Sequence, residues 1–421
     1  MALNKLSLDK DTLSNPGFYR LLLYALVLGG IAGLGTSAFL LAEHWLTDVI
    51  WDSLYHRLGE IRLFSLLICS IGGLLLGIGR RFLGDYPKPM HEALEDVRTE
   101  DGFDVQNVPH GFVLALISLS FGGALGPEAA LIGIAGGLGT WVAQRLKVGA
   151  QRARLFAYLS VSGGLSSFLR SPLSGAELPL EYPDGDELPS AWVMIPGVVA
   201  GAAGLLVFLT TGGQTLGFTY DYLPYTPPGN GLDVLLALPL GLLGGLLGWL
   251  FSFNGEYLTR WLNPILDRKI LSSLLGGIVL GLLATVSPLV LFSGQRELNE
   301  LFVNGAQIGS AMLLLIALMK IVATRFLLVT GWKGGEIFPL IFAGGALGLA
   351  VAYWLPFIDP MVALAAVMAG ATTAMLRRPL ATVLILIIFL PASVVGPLTV
   401  GGFVGAAVIR RTKPQDVGES H

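Results

Sequence analysis

Cysteine, charge and any export signal are what this chain has least of. One cysteine, Cys69, occurs in 421 residues, so no disulfide can close within the chain and no cysteine-based metal site can be built. Set inside an apolar run, Cys69 reads as a small buried hydrophobe. Charged residues make up 13% of the chain and hydrophobic ones 53%, whereas an ordinary soluble domain is roughly 25% charged. The formal net charge is -3 and no basic block occurs, which excludes nucleic acid as a partner. The first 17 residues are polar and contain no apolar core leading to a cleavage site, so no removable signal peptide is expected. The five histidines show no metal-ligand spacing, and no HExxH or nucleophile-elbow pattern appears. Neither an enzyme nor a bound cofactor or metal is therefore expected.

What the chain does have is apolar length. Runs such as Leu21 to Leu41, Val193 to Leu209, Val234 to Phe251 and Ala311 to Val329 approach or reach the ~20 residues that cross a hydrocarbon layer. The chain reads as an all-α polytopic membrane protein with lipid around it. Glycine, at 56 residues, is more frequent than turns demand, and Gly29, Gly30, Gly33 and Gly35 interrupt one face of the first long helix. Small residues so placed let helices approach closely in lipid. Arg80-Arg81 is a basic flank that the positive-inside rule puts in the cytoplasm. Residues 84–104 form a polar connection with a short helix after Pro89, and the aromatic loop 217–230 is expected to face solvent.

The chain also repeats itself. Residues 126–137 read GPEAALIGIAGG and residues 334–345 read GGEIFPLIFAGG, so Glu128 falls on Glu336 and Ala135-Gly136-Gly137 on Ala343-Gly344-Gly345, 208 positions apart. Gly163, Arg170, Pro172 and Leu173 recur as Gly370, Arg377, Pro379 and Leu380 at an offset of 207. Such pairs are what two facing halves of a duplicated membrane protein leave in sequence. The expected layout is a polar leader over 1–19, a first half over 20–190, a second over 191–411 and a short cytoplasmic tail over 412–421.

The repeats carry the chemistry. Proline at a helix start loses nothing by lacking an N–H, and the next amides point freely out of the helix, so such an end attracts anions. Helix starts are expected after Gly126-Pro127, Arg170, Gly335 and Arg377, converging on one anion. Glu128 and Glu336 are ionisable groups in apolar surroundings, where function is the default reading; stabilising a helix dipole is the alternative. Lys333 either draws anions toward the amides or pairs with Glu336. Arg170 and Arg377 are expected to satisfy carbonyls or anchor at an interface. Glu177 and Glu181, four apart, share a helix face and can relay protons toward Glu128.

These motifs resemble those of the CLC family of chloride channels and chloride/proton antiporters, over about residues 20–411. Gly126-Pro127-Glu128-Ala129-Ala130 is similar to the family's G-[KR]-E-G-P element, Gly335-Glu336-Ile337-Phe338-Pro339 to its G-x-F-x-P element, and the two R-x-P-L turns match its pattern. The resemblance implies an inverted repeat of two halves with tilted and broken helices, and a homodimer with one pore per subunit in a bacterial inner membrane. It implies Glu128 as the gate and an anion site lined by Gly126, Ala129, Ala130, Lys333, Gly335, Glu336, Ile337 and Phe338. Tyr86 stands where the family has a serine, Ile337 where it has an aromatic, and Phe403 near the place of its last tyrosine. Tyr182 aligns with the internal proton glutamate, with Glu181 beside it. The implied activity is transport of a small inorganic anion, chloride by family default, in exchange for protons. A passive pH-gated channel or uniporter, or carriage of bicarbonate, fluoride or nitrate, is the alternative.

Overall fold

A computed structural model describes residues 16–55, 63–97, 102–181, 191–213 and 220–410. Most of the expected leader, Tyr182, residues 183–190, the start of the aromatic loop and the expected tail lie outside the described residues.

Among the described residues the chain forms sixteen α-helices and no strand, only an isolated bridge between Gly126 and Gly335. The first eight are α1 (Pro16–Asp48), α2 (Phe64–Leu83), α3 (Met90–Asp96), α4 (Val108–Ser120), α5 (Glu128–Arg145), α6 (Ala150–Leu169), α7 (Pro172–Glu177) and α8 (Ala191–Phe208). The second eight are α9 (Leu232–Leu266), α10 (Lys269–Val286), α11 (Glu297–Ile308), α12 (Ser310–Val329), α13 (Ile337–Trp354), α14 (Pro360–Leu376), α15 (Pro379–Phe389) and α16 (Val395–Arg410). Seven helices, counting α1 with the turn that follows it, are long and apolar enough to span a membrane: α1, α2, α8, α9, α10, α12 and α13. Leu23, Leu235 and Trp261 stand exposed on them, as lipid-facing side chains do. The protein is an integral, multi-pass membrane protein.

Each helix of the first series has its counterpart eight places on, and the packing repeats. α1, α6 and α8 pack on one another as α9, α14 and α16 do. Glycine makes both crossings possible. A Cβ on Gly163 of α6 would sit 2.6 Å from the Gly29 Cα of α1, and one on Gly204 of α8 would strike the Gly163 backbone. In the second series a Cβ on Gly370 of α14 would strike Gly241 of α9, and one on Gly405 of α16 would sit 2.6 Å from the Gly370 Cα. Gly163 and Gly370 are the residues paired by the sequence repeat. In this packing α8, which follows residue 190, lies against α1 and α6. Gly163→Leu is expected to abolish recovery of monodisperse protein on size exclusion in detergent, because a side chain forced against backbone has nowhere to relax.

The turn after α6 and the turn after α14 match as well. Arg170 has φ 54° and ψ 27°, and Arg377 has φ 56° and ψ 26°. Both close their helix in the left-handed region and hand over to a proline-led helix, α7 or α15. From Phe156 onward α6 is buried on all sides, as α14 is over nearly its whole length, which is why neither shows a single polar stripe in sequence.

Most of the described part of the aromatic loop is exposed, as expected, and its tyrosines tie it to the protein. Tyr220 is 8% exposed and donates to the Gln295 carbonyl at 3.0 Å. Tyr222 donates to the Phe389 carbonyl at 3.3 Å and Tyr225 to Asp233 Oδ2 at 2.6 Å. A tyrosine ring buries apolar area while its hydroxyl finds an acceptor, so Tyr220 anchors a loop whose other residues stay largely at the surface.

Candidate functional site

The two repeats meet at Gly126 and Gly335. Gly126 N donates to the Gly335 carbonyl at 2.8 Å, and Gly335 N donates to the Gly126 carbonyl at 2.6 Å. This reciprocal pair brings the starts of α5 and α13 together. A Cβ on either glycine would fall on the Glu128 carboxylate, so a side chain at either position would push that carboxylate from its place.

Glu128 is the first residue of α5 and is 0% exposed. The first amides of a helix have no acceptor within it. One of those at the start of α13, Phe338 N, donates to Glu128 Oε1 at 3.2 Å, while Glu128 Oε2 has no hydrogen-bond partner. The carboxylate of one half thus rests on the positive end of a helix from the other half. A small anion arriving there would compete for the same amide and the same helix end. Ala129, Ala130, Ile337 and Phe338 are buried around this point. Phe338 packs edge-on against Phe168 and Phe389, with ring centroids 5.1 and 5.3 Å away.

Residues 87–410 match the family described as voltage gated chloride channel. The chain belongs to this family. Among curated relatives, a protein of Escherichia coli O139:H28 named YfeO, provisionally described as an ion-transport protein, is 24% identical over 367 residues, covering 84% of each chain. The YfeO of Shigella flexneri matches to the same extent. Among solved structures, a slow cyanobacterial Cl-/H+ antiporter superposes with TM-score 0.78 at 20% identity, covering 92% of this chain and 94% of its own. A CLC-type fluoride/proton antiporter gives 0.74 at 19% identity, covering 95% and 97%. At these identities the likeness is one of fold.

Within this voltage gated chloride channel fold the four expected helix starts form two separate pairs. α5 and α13 meet at the glycine bridge. α7 and α15 meet elsewhere, where Ser174 Oγ donates to the Leu384 carbonyl at 2.8 Å. Phe389, at the far end of α15, is the residue that reaches Phe338. Eleven residues of helix separate its two ends by roughly 15 Å, so the α15 start does not share the Glu128 site.

That second pair is where Glu181 lies. Its Oε1 accepts from Leu380 N at 3.1 Å and its Oε2 from Ala381 N at 2.8 Å, so it caps α15 from the other half. Arg378 reaches back to the Leu178 carbonyl. Glu177 is buried against Glu181, carboxyl to carboxyl, and Arg378 is the cation near it. The two acids expected on one helix face therefore meet each other, and Glu181 alone also holds the amides of α15.

The remaining predicted residues divide. Tyr86 lines a cavity of about 50 Å3 with Ala130, Gly133 and Ile134 of α5, so it faces the second turn behind Glu128. Lys333 pairs with Asp85 and not with Glu336. Its Nζ lies 3.7 Å from Asp85 Oδ1, and Asp85 also holds Arg80 and Lys269, each at 2.6 Å. Glu336 faces Arg325 and His91. Arg170 donates to the Gly213 carbonyl at 2.8 Å, in line with the carbonyl-satisfying role expected of it. Phe403 is 53% exposed on α16, so it stands on the outer face of the chain and not beside Glu128. A residue on a small-residue helix carries no sequence signal for which face points inward.

The Asp85 cluster escaped sequence reasoning. Arg80 and Asp85, Lys269 and Lys333 come from three separate stretches of the chain, and only the doublet Arg80-Arg81 hinted at a basic flank.

Proposed function

We propose that this chain carries a small inorganic anion across a bacterial inner membrane, that Glu128 is the gate, and that transport is exchanged for protons. One observation carries the reading: the Glu128 carboxylate, buried and half-satisfied, occupies the free amide of Phe338 at the head-to-head junction of the repeats. Ionised, it holds the place of an anion; protonated, it loses the charge that holds it there and yields. Gly126, Ala129, Ala130, Gly335, Glu336 and Ile337 contribute main-chain groups and shape around that place. Tyr86 bounds it from behind α5, and Lys333, with Arg80 and Lys269, makes the approach positive. Main-chain donors bind an anion without a full buried cation, which keeps it releasable. Chloride is the family's default, and the shared fold of a fluoride/proton antiporter makes fluoride the first competitor. No part of this scheme calls for an enzyme or a cofactor. The working unit is a homodimer with one pathway per subunit.

A passive, pH-gated pathway is the second reading, favoured by the capping of both Glu181 oxygens, which ties down one of the two inner acids. The test is anion flux from proteoliposomes with simultaneous pH recording. Uphill proton movement driven by an anion gradient decides for exchange, and its absence during brisk anion flux decides for the passive pathway. Running chloride, fluoride, nitrate and bicarbonate in the same assay ranks them. With Tyr86 in place of a hydroxyl donor of serine size, replacement of Tyr86 by Ser is expected to change that ranking; an unchanged order removes Tyr86 from the selectivity site.

A further inference from the structure

Lys320 is a buried charge for which anion transport through the Glu128 site has no use. It lies in the middle of α12 with 0% exposure. Its Nζ donates into a ring of carbonyls: Leu289 at 3.3 Å, Val290 at 3.1 Å, Leu291 at 2.7 Å and Phe292 at 2.9 Å. The Phe342 ring centroid is 4.9 Å away, and the carboxylate of Glu297 faces it. An ammonium group has three donors and no acceptor, so four carbonyls share them. A buried charge is tolerated when it is surrounded in this way, and removing it would leave those carbonyls facing one another.

The turn that Lys320 gathers is itself unusual. Phe292 has φ 57°, a left-handed value that a bulky residue adopts only when its surroundings hold it there. Phe292 N donates to the Gly122 carbonyl at 3.1 Å, and its ring packs edge-on against Trp51 at 5.2 Å between centroids. Gly122 opens the segment that leads to Glu128. One turn along α12, Thr324 is buried and its Oγ1 donates to the Ala124 carbonyl at 2.8 Å. Trp51 Nε1 holds the Ser120 carbonyl at 2.9 Å and Lys333 N holds Ser118 Oγ at 3.0 Å. The end of α4 and the segment from it to α5 are thus fixed at Ser118, Ser120, Gly122, Ala124 and Gly126, and two of those five ties trace back to α12.

We propose that Lys320 and Thr324 are positioning residues for the gate. From adjacent turns of one helix they fix the 289–292 turn and the 121–127 segment against each other, and so set where the Glu128 carboxylate starts relative to Phe338 N. Neither touches the anion. The inference rests on Glu128 being the gate, and the experiment separates the two.

Anion efflux from proteoliposomes of the full chain is measured across pH for Thr324→Val, Thr324→Ala, Thr324→Ser and Lys320→Arg, each with Glu128 present and in the Glu128→Gln background. Val and Ala both remove the donor, one keeping the side-chain volume and one adding no bulk, so the test does not depend on one variant folding. With Glu128 present, both are expected to displace the midpoint of the pH profile by about half a unit or more, roughly a threefold change in the protonated fraction of a carboxyl group. Thr324→Ser and Lys320→Arg, which keep the donor, are expected to stay on the parent profile. In the Glu128→Gln background all four are expected to match Glu128→Gln alone. The proposal is overturned if Val and Ala trace the parent curve, or if they lower flux by the same factor in both backgrounds, since that means general support of the pore. If Glu128→Gln alone leaves the pH profile unchanged, the gate reading fails and this one falls with it.

Discussion

Replacing Glu128 by Gln is expected to flatten the pH dependence of anion flux and to remove the proton movement coupled to it. The geometry makes this the cleanest single change available. Gln keeps an oxygen that can accept from Phe338 N, now 3.2 Å from Glu128 Oε1, and it nearly keeps the volume that Gly126 and Gly335 leave open. It loses only the titratable proton and the charge. The sign follows directly. In the parent chain the protonated fraction of the carboxyl group grows as pH falls, so the anion place is vacated more often and flux rises toward acid pH. Over the limb where the gate titrates, one pH unit changes the minor protonation state up to about tenfold. In the variant that slope should vanish. Flux and pH electrodes on the same liposomes read both quantities together. Coupled proton uptake persisting in Glu128→Gln would remove Glu128 from its role.

The second large effect is expected at Glu177 and not at Glu181. A proton carrier has to exchange partners. Glu181 has both oxygens committed to the Leu380 and Ala381 amides, a charge-assisted cap at the start of α15, whereas Glu177 holds no backbone amide and meets the Glu181 carboxyl instead. Glu177→Gln should therefore stop coupled proton movement to the limit of detection while anions continue to pass through the Glu128 site. Glu181→Gln keeps one acceptor and loses the charge. It should lower thermal stability by an amount of the order of a lost helix cap, ~1 kcal/mol, and leave the ratio of protons to anions as it was. The reverse pattern, with coupling lost at Glu181 and retained at Glu177, would exchange the two roles. Retained coupling in both variants, and in the double variant, would take the inner proton route away from this pair.

How much of this was legible in the sequence depends on the range of the contact involved. The Gly-Pro break, the spans and the doubled Gly-Glu and Arg-x-Pro-Leu stretches are local patterns, and the structure has helix starts at Glu128, Pro172, Ile337 and Pro379 close to where those patterns put them. The capping of α15 by Glu181, the Thr324 bond to Ala124 and the Lys320 ring join residues from about 30 to 200 positions apart, and such pairings leave no periodicity to read. The convergence of four helix starts failed for the same reason. Sequence announces that a helix begins, and says nothing of where its other end is pinned. Phe403 shows the limit on a smaller scale: α16 is built largely from glycine, alanine and valine, so no polar stripe marks its inward face. The polar stretch at 183–190 looks like a boundary in sequence, while the close approach of Gly163 to Gly29 and Gly204, which sets α8 against α1 and α6, leaves no such local mark.

The junction of Gly126 with Gly335 is made of peptide groups alone. Every amino acid except proline supplies the same N–H, so ordinary substitution cannot delete these donors, and only the side chains on the approach are open to change. A lineage built on this scaffold can then exchange side chains around the junction, Tyr86 or Ile337 among them, while the main-chain contact between the two repeats stays untouched.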